Sequence, residues 1–351
     1  MERVASAIID FAEAAYDLEV SEAEWLPKLL EAGLPVFDHG LSVAGVVYSR
    51  PPRGGPVFAE RFHVVSGPQD FAERCAQAVV ELPTNVVRGL LRPGVAATFS
   101  ESSKQYPGAF AEIGRHFNHG KDGLQITALD PNGLGVHIVA ALPEVTKLTG
   151  RCRERWQMLA AHLCAGHRLR RAVAASESNG CAESPLPNNA EAVLDPKRFK
   201  VTDATGPAKA HGIGAMLRDA AIQGDRARGR LRSDDPHKAL EIWRALVQGR
   251  WSMVDWFDTG GRRFVLAVPN PPDVADPRGL TEREMQAGTY ASLGHSNKLI
   301  AYELGISKAR VSFLLSSSMR KLGARTHAQL VKKIGDLRRL HVKEVHASDR
   351  N

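Results

Sequence analysis

Apolar residues recur at three- and four-residue intervals over residues 4–18 and again over 25–34, the spacing that lines one face of a helix. Residues 41–48 are apolar without that period and read as a strand, closed by the turn-rich Arg50-Pro51-Pro52-Arg53-Gly54-Gly55-Pro56. Two helices are expected next. Beyond them, residues 124–129 and 134–142 are apolar runs joined by Asp130-Pro131-Asn132-Gly133, the composition of a hairpin turn. Helical spacing returns over 151–173, with Trp156, Leu159, Leu163 and His167 aligned before the basic Arg168, Arg170 and Arg171. Residues 173–190, rich in Ser, Asn, Pro and Gly, read as a linker closing a first α/β segment of residues 1–172.

A second α/β segment, 191–270, starts with a short hairpin, residues 192–194 and 199–202 around Asp195-Pro196-Lys197-Arg198. Helices are expected over 208–230 and 236–249, then a hairpin over 251–268 turning at Thr259-Gly260-Gly261. Pro-rich residues 271–277 make a stiff linker into an all-α end, residues 278–342. Four helices are punctuated there. Thr281 and Glu284 form a capping box; Ser296 caps a helix that turns Ile300, Ala301 and Leu304 inward. Gly305 ends it in the left-handed conformation, and Ser307 caps a third helix whose inner row is Val311, Leu315, Ser318 and Leu322. After Gly323, Thr326 and Gln329 make a second capping box for a helix carrying Leu330, Val331, Ile334 and Leu337 on one face.

Two helices joined by a short Gly-containing turn, the second with a basic outer face, are what the major groove of DNA admits. Leu280-Thr281-Glu282-Arg283-Glu284, Gly294-His295-Ser296-Asn297-Lys298-Leu299-Ile300-Ala301, Leu304-Gly305-Ile306-Ser307, Val311 and Arg320-Lys321-Leu322-Gly323 resemble the LuxR-type helix-turn-helix family over about 65 residues. The resemblance implies DNA binding through the third helix, with the helix-turn-helix over about 297–316. Candidate DNA contacts are then Lys308, Arg310, Ser312, Phe313, Ser316, Arg320 and Lys321, joined by Ser296, Asn297 and Lys298 at the start of the second helix. It also implies pairing of subunits through the fourth helix, which makes Leu330, Val331, Ile334 and Leu337 candidate dimerisation residues. The sequence departs from the family where Arg310 replaces a frequent Thr or Ser, Leu314 a frequent His, and Ser312 and Ser316 frequent basic residues. Ala287 and Gly288 stand where two large apolar residues are usual, and a mid-helix glycine costs about 1 kcal/mol. In layout alone, the first segment resembles a GAF-type sensory domain and the second a small PAS-like unit.

Charge sharpens the picture. Residues 276–343 hold 13 Lys/Arg against 5 Asp/Glu, a surplus of +8, whereas residues 1–275 hold 32 of each. A neutral body with a compact basic end fits a polyanion partner. With 43% hydrophobic and 24% charged residues over 351 positions, the chain is a globular protein of two or three domains. The first ten residues include Glu2, Arg3 and Asp10, no later run reaches membrane-spanning length, and Cys75, Cys152, Cys164 and Cys181 lack a Cys-x-x-Cys pair. A cytoplasmic protein without membrane contact or disulfide framework is expected.

No chemistry-bearing constellation competes with DNA binding. A receiver's acidic pair, a Gly-x-x-x-x-Gly-Lys-Ser/Thr loop, the aromatic and Asp spacing of an autoinducer pocket and a Ser-His-Asp set are absent from the sequence. His116 with His119, and His162, Cys164 and His167 on one helix, could each supply part of a metal site, but no second ligand pair completes either. Trp251, Trp256 and Phe257 read as core rather than pocket lining. The expectation is therefore a multidomain, non-enzymatic transcription regulator without cofactor: two α/β sensory-like segments followed by an all-α four-helix module. Its partners would be double-stranded DNA, RNA polymerase and a small-molecule or protein signal, with a homodimer on DNA. A ligand- or protein-binding sensor with a degenerate module is the alternative; a sigma factor would need an all-helical upstream segment in place of these hairpins.

Overall fold

Residues 2–50, 57–68, 70–71, 73–74, 77, 81–91, 96–108, 120–178, 184–243, 246–272, 274 and 280–348 are described by the computed structural model. The turn at 51–56, Cys75, Cys181, His116, His119 and most of the Pro-rich linker lie outside them. Helices α1 (Glu2–Ala14) and α2 (Glu22–Phe37) form where apolar spacing places them, α2 starting at Ser21, whose hydroxyl accepts from the Glu24 amide. Strands β1 (Val43–Ser49), β2 (Phe58–Ser66), β3 (Ala96–Thr98), β4 (Asp122–Leu129) and β5 (Leu134–Leu142) build an antiparallel sheet in the order β2-β1-β5-β4-β3. The expected β4–β5 hairpin closes at Gly133, whose φ of 94° needs glycine. Strand β2 was not anticipated because it is an outer strand, exposed at Phe58 and Phe62 as well as at Glu60, and so lacks a two-residue alternation. Short helices α3 (Thr84–Leu90) and α4 (Phe99–Ser103) accompany the sheet.

The long helix α5 (Gly150–Ser178) organises the rest: every residue from Met158 to Arg170 is buried. Residues 173–178 thus continue this helix rather than beginning a linker. It packs on β4 and α1 and also on the second unit. That unit holds β6 (Ala192–Leu194), β7 (Val201–Ala204), β8 (Trp251–Phe257) and β9 (Arg263–Pro269) in the antiparallel order β7-β6-β9-β8. Helices α6 (Ile213–Arg228), α7 (Leu231–Asp234) and α8 (Pro236–Ile242) complete it. The single helix expected over 208–230 is broken by a 3-10 turn (Gly206–Lys209) and by Gly212 at φ 79°. The helix expected to reach 249 stops at Ile242, because Trp243 is extended and Gln248 and Gly249 turn the chain left-handed into β8.

One apolar core runs through both units, joining Phe11, Leu29, Val47, Ile126, Ile138 and Leu163 to Leu240, Trp243 and Leu266. Across this junction lies a buried polar network. Arg168 of α5 pairs with Asp130 in the β4–β5 turn, and its Nε donates to Asn270 Oδ1 at 2.9 Å. Asn270, just past β9, donates in turn to the Ala165 carbonyl (2.9 Å) and Ser252 Oγ (2.8 Å). Burial alone would lower the Arg168 pKa; the Asp130 carboxylate more than reverses this and keeps the guanidinium charged.

The side chains considered as metal ligands on α5 diverge. His162 joins Tyr16, Cys164 donates to Asp130 at 3.3 Å, and His167 stacks on Trp25. Among the described residues no group of three or more His, Cys, Asp or Glu is placed to hold a metal ion, and no helix is long and apolar enough to cross a membrane. Trp251 is buried, its indole N–H donating to Glu191 at 2.7 Å, whereas Phe257 is half exposed rather than core.

Burial lowers the pKa of His137 to about 4, of His162 to about 3 and of His167 to about 4, the last helped by Arg171. An unfolded chain takes up these protons near pH 6.5. The stability contributed by keeping the rings neutral is therefore complete above pH 6.5 and lost as pH falls from there toward 4. The unfolding temperature should fall between about pH 6.5 and 4.5, and the fall should be shallower in His162→Gln. A temperature independent of pH over that window would contradict the buried, neutral histidines.

Candidate nucleic-acid interface

The C-terminal module contains α9 (Glu282–Ser292), α10 (Asn297–Glu303), α11 (Lys308–Lys321) and α12 (His327–Ser348). Local chemistry sets each boundary. Thr281 Oγ accepts from the Glu284 amide at 3.3 Å while Glu284 returns a 2.7 Å bond to the Thr281 amide. Ser296 and Ser307 cap α10 and α11 by accepting from the amides of Leu299 (3.2 Å) and Arg310 (3.1 Å). Gly305 and Gly323, both at φ 60°, end the same two helices. The second capping box closes differently from expectation: Thr326 Oγ accepts from the Gln329 backbone amide, but the Gln329 side-chain Oε1 accepts from the Arg325 amide at 2.7 Å rather than from that of Thr326.

Met285, Tyr290, Ile300, Leu304, Val311, Leu315, Leu330 and Ile334 form a core separate from that of the body. Leu314 joins it, although the expected inner row passed it by. Gly288 is explained by packing, since a Cβ there would lie 3.1 Å from Ile334 Cδ1. The glycine lets α12 close on α9, which offsets its poor helix propensity. This closure also revises the dimerisation residues: Leu330, Ile334 and Leu337 are buried within their own chain and Val331 is half-buried, so the apolar row needs no second copy to cover it.

The outer face of α11 is open. Lys308, Arg310, Ser312, Phe313, Ser316 and Arg320 are all exposed on it, and Lys308, Arg310 and Arg320 enter no ion pair among the described residues. The Arg310 guanidinium carbon sits 5.0 Å from the Phe313 ring centroid. At the edge of this face Asn297 donates to Ser312 Oγ at 3.3 Å, tying the start of α10 to α11. The remaining candidates are engaged within the protein. Lys321 meets Glu284 Oε2 at 2.7 Å, and Ser296 is occupied as a cap. Burial would raise the Glu284 pKa, but hydrogen bonds from Lys321, Ser317 and Thr281 outweigh it and lower the value to about 2.

Lys298 is turned away from α11, with its Nζ 2.5 Å from Glu154 on α5. This ion pair rims a cleft of about 170 Å³ in which Glu154, Gln157 and Met158 of α5 and Glu241 of α8 face Ser296, Leu299 and Tyr302 of α10. The Tyr302 hydroxyl donates to the Leu240 carbonyl at 2.7 Å and meets His162 Nε2, whose Nδ1 is 3.2 Å from the Tyr16 hydroxyl. Gly305 lies so close to the Leu246 carbonyl that a Cβ would come within 1.7 Å of the oxygen. The module is therefore docked on the body along α10. Sequence reading missed Tyr302, Glu154 and His162 as docking residues. The available signal was Tyr302 itself, an aromatic one helical turn after Lys298 and outside the row Ile300, Ala301 and Leu304 that fills the module's core.

Residues 278–334 match the family model described as "Bacterial regulatory proteins, luxR family". They are a LuxR-family helix-turn-helix domain, which supports a DNA-binding transcription regulator. No match to the chain was found among curated proteins.

Glu284→Ala should destabilise the module by about 1–2 kcal/mol, because it removes the reciprocal cap and the bond from Lys321 to the Glu284 carboxylate. Glu284→Gln keeps a side chain able to accept the Thr281 amide and should lose less. Thermal unfolding of both full-length variants checks the order; equal, negligible losses would show that the box does not hold α9.

Proposed function

We propose that the chain is a transcription regulator that inserts α11 into the major groove of double-stranded DNA under the control of a signal received by its two N-terminal α/β units. The observation that carries the first part is the open face of α11, where Lys308, Arg310 and Arg320 have no acidic partner among the described residues, on a domain otherwise well supplied with internal bonds. Unpaired cations on a groove-sized helix are placed for phosphates and base edges. The intact caps and separate core favour this over a degenerate module. The sheets and helices of the body fit a sensory role in a GAF-like and PAS-like arrangement, and nothing in the mechanism requires catalysis. RNA polymerase in the cytoplasm would be the recipient of the regulation. Two copies on a near-palindromic operator would pair along α12, whose helix continues past the buried Leu337 to Ser348.

Docking along α10 supplies a route for control. The first helix of a helix-turn-helix crosses the DNA backbone, yet here Glu154 holds Lys298 and sits with Glu241 beside the start of that helix. A carboxylate occupies the position a phosphate would take. A signal that loosens α10 from α5 would free Lys298 and move two carboxylates away from the DNA.

Selection of genomic fragments with the full-length protein, followed by titration of the best duplex at several salt concentrations, tests the DNA-binding reading. Affinity should fall steeply with salt, and Lys308→Ala should lower the slope of log K against log salt by about one. A flat salt response, or no binding at all, would favour the sensor with a decayed module. For control, Glu154→Gln should raise affinity several-fold and steepen the slope by up to about one, and Lys298→Ala should remove that gain while changing the parent little. Unchanged affinity in a folded Glu154→Gln would separate docking from regulation.

A further inference from the structure

Phe313 is a large apolar side chain 53% exposed on the face of α11 that carries Lys308, Arg310 and Arg320. Its neighbours along the helix, Val311, Leu314 and Leu315, are buried in the module, so the ring stands on the opposite side from the core. Ser312 and Ser316 beside it are short and exposed. The Arg310 guanidinium lies over the ring, 5.0 Å from its centroid, and donates no hydrogen bond to the protein among the described residues. Such a pair restricts the guanidinium while leaving its donors free.

We propose that Arg310 and Phe313 read DNA as one unit, Arg310 bonding a guanine and Phe313 packing on the C5-methyl group of a pyrimidine in the adjacent base pair. The proposal rests on α11 entering the major groove. Inside that groove the apolar feature presented by a base is the C5-methyl of thymine, and guanine offers two acceptors to an arginine. Spacing then fixes the step. A guanidinium on guanine and a ring 5.0 Å away reach neighbouring pairs, because base pairs rise about 3.4 Å per step and apolar contact extends to about 4 Å. The guanine's own pair has no methyl group unless its cytosine is methylated. Surrounding charge favours DNA over a protein partner for this exposed ring, since Lys308 and Arg320 flank it without acidic partners among the described residues. The same chemistry admits 5-methylcytosine in place of thymine, so the pair would also sense cytosine methylation at that position.

The test uses the full chain and the tightest duplex recovered by selection from random DNA, with the guanine of Arg310 located as the base pair at which Arg310→Ala loses discrimination. The adjacent pyrimidine is then synthesised as thymine, uracil, 5-methylcytosine or cytosine. Wild type should bind thymine and 5-methylcytosine alike and lose about 3- to 5-fold on uracil and on cytosine, the size expected for one buried methyl. Phe313→Ala should bind all four within about twofold, while Phe313→Leu keeps part of the methyl preference. Equal binding of thymine and uracil by wild type overturns the methyl contact and leaves Phe313 as support for Arg310 only. A protein that binds no duplex overturns the DNA-reading role as a whole, so the two failures are distinguishable.

Discussion

The buried pair of Arg168 and Asp130 constrains the whole body, because the two charges have few other places to go. Both are almost fully buried, and Asp130 Oδ2 has no hydrogen-bond partner among the described residues. Taking two ions out of water costs several kcal/mol each, and attraction between them repays this only in good geometry, so the pair is a weak source of stability. Its effect is positional. Asp130 belongs to the hairpin of the first sheet, Arg168 to α5, and Asn270 to the exit from the second sheet, where the chain leaves for the module. Any slip of α5 along its axis would strand an unpaired charge in an apolar core, an outcome worth about 3–5 kcal/mol against it.

With α5 fixed, the place of the DNA-binding module follows. Glu154 and His162 are presented eight residues apart on one helix, to Lys298 and Tyr302, themselves four apart on α10. The contact is polar rather than greasy. On the module, Arg283 Nη1, Gln286 Oε1, Thr289 Oγ1, His295 Nε2 and Glu303 Oε2 are buried without a hydrogen-bond partner among the described residues, while His295 Nδ1 lies 3.2 Å from Glu303 Oε1. Arg283 lies close to Gly249 of the body, and burial together with Arg250 and Arg310 lowers its pKa despite Glu282 nearby. Each unsatisfied buried group costs about 1–3 kcal/mol relative to one bonded to water. Arg283 Nη1 and Gln286 Oε1 lie beside Gly249 of the body, and separation would let water meet these two.

The module was legible in the sequence to a degree that the body was not, for a physical reason. Thr281, Ser296, Gly305, Ser307 and Gly323 act within a few residues of where they stand, and caps and left-handed glycines leave a local signature. The open face of α11 follows from the same periodicity. In the body, the β4–β5 hairpin was readable from its turn, but β2 was hidden by its outer position and α8 was overextended past Trp243. Docking left one local trace, Tyr302 outside the inward row of α10. Asp130, Arg168 and Asn270 are ordinary polar residues until tertiary structure brings positions 38 and 102 residues apart together. The row Leu330, Ile334 and Leu337 on α12, expected to face a second subunit, is buried within its own chain, and Gly288, costly by helix propensity, is where α12 closes on α9.

Charge in the sequence also overstates what the DNA can use. The surplus of the last fifth of the chain includes Lys298 and Lys321, which the folded protein spends on Glu154 and Glu284 in unlike surroundings. Glu284 is almost buried and fastened by the start of α9, so Lys321 is held by an element that must persist if the module is to stay folded. Glu154 belongs to another unit and is bonded to α10 across a cleft, so Lys298 is held only while the two remain together. One lysine is thus structural and the other conditional. The same kind of ion pair is therefore permanent in one place and separable in another, the difference lying in whether the acid belongs to the same folded module as its base.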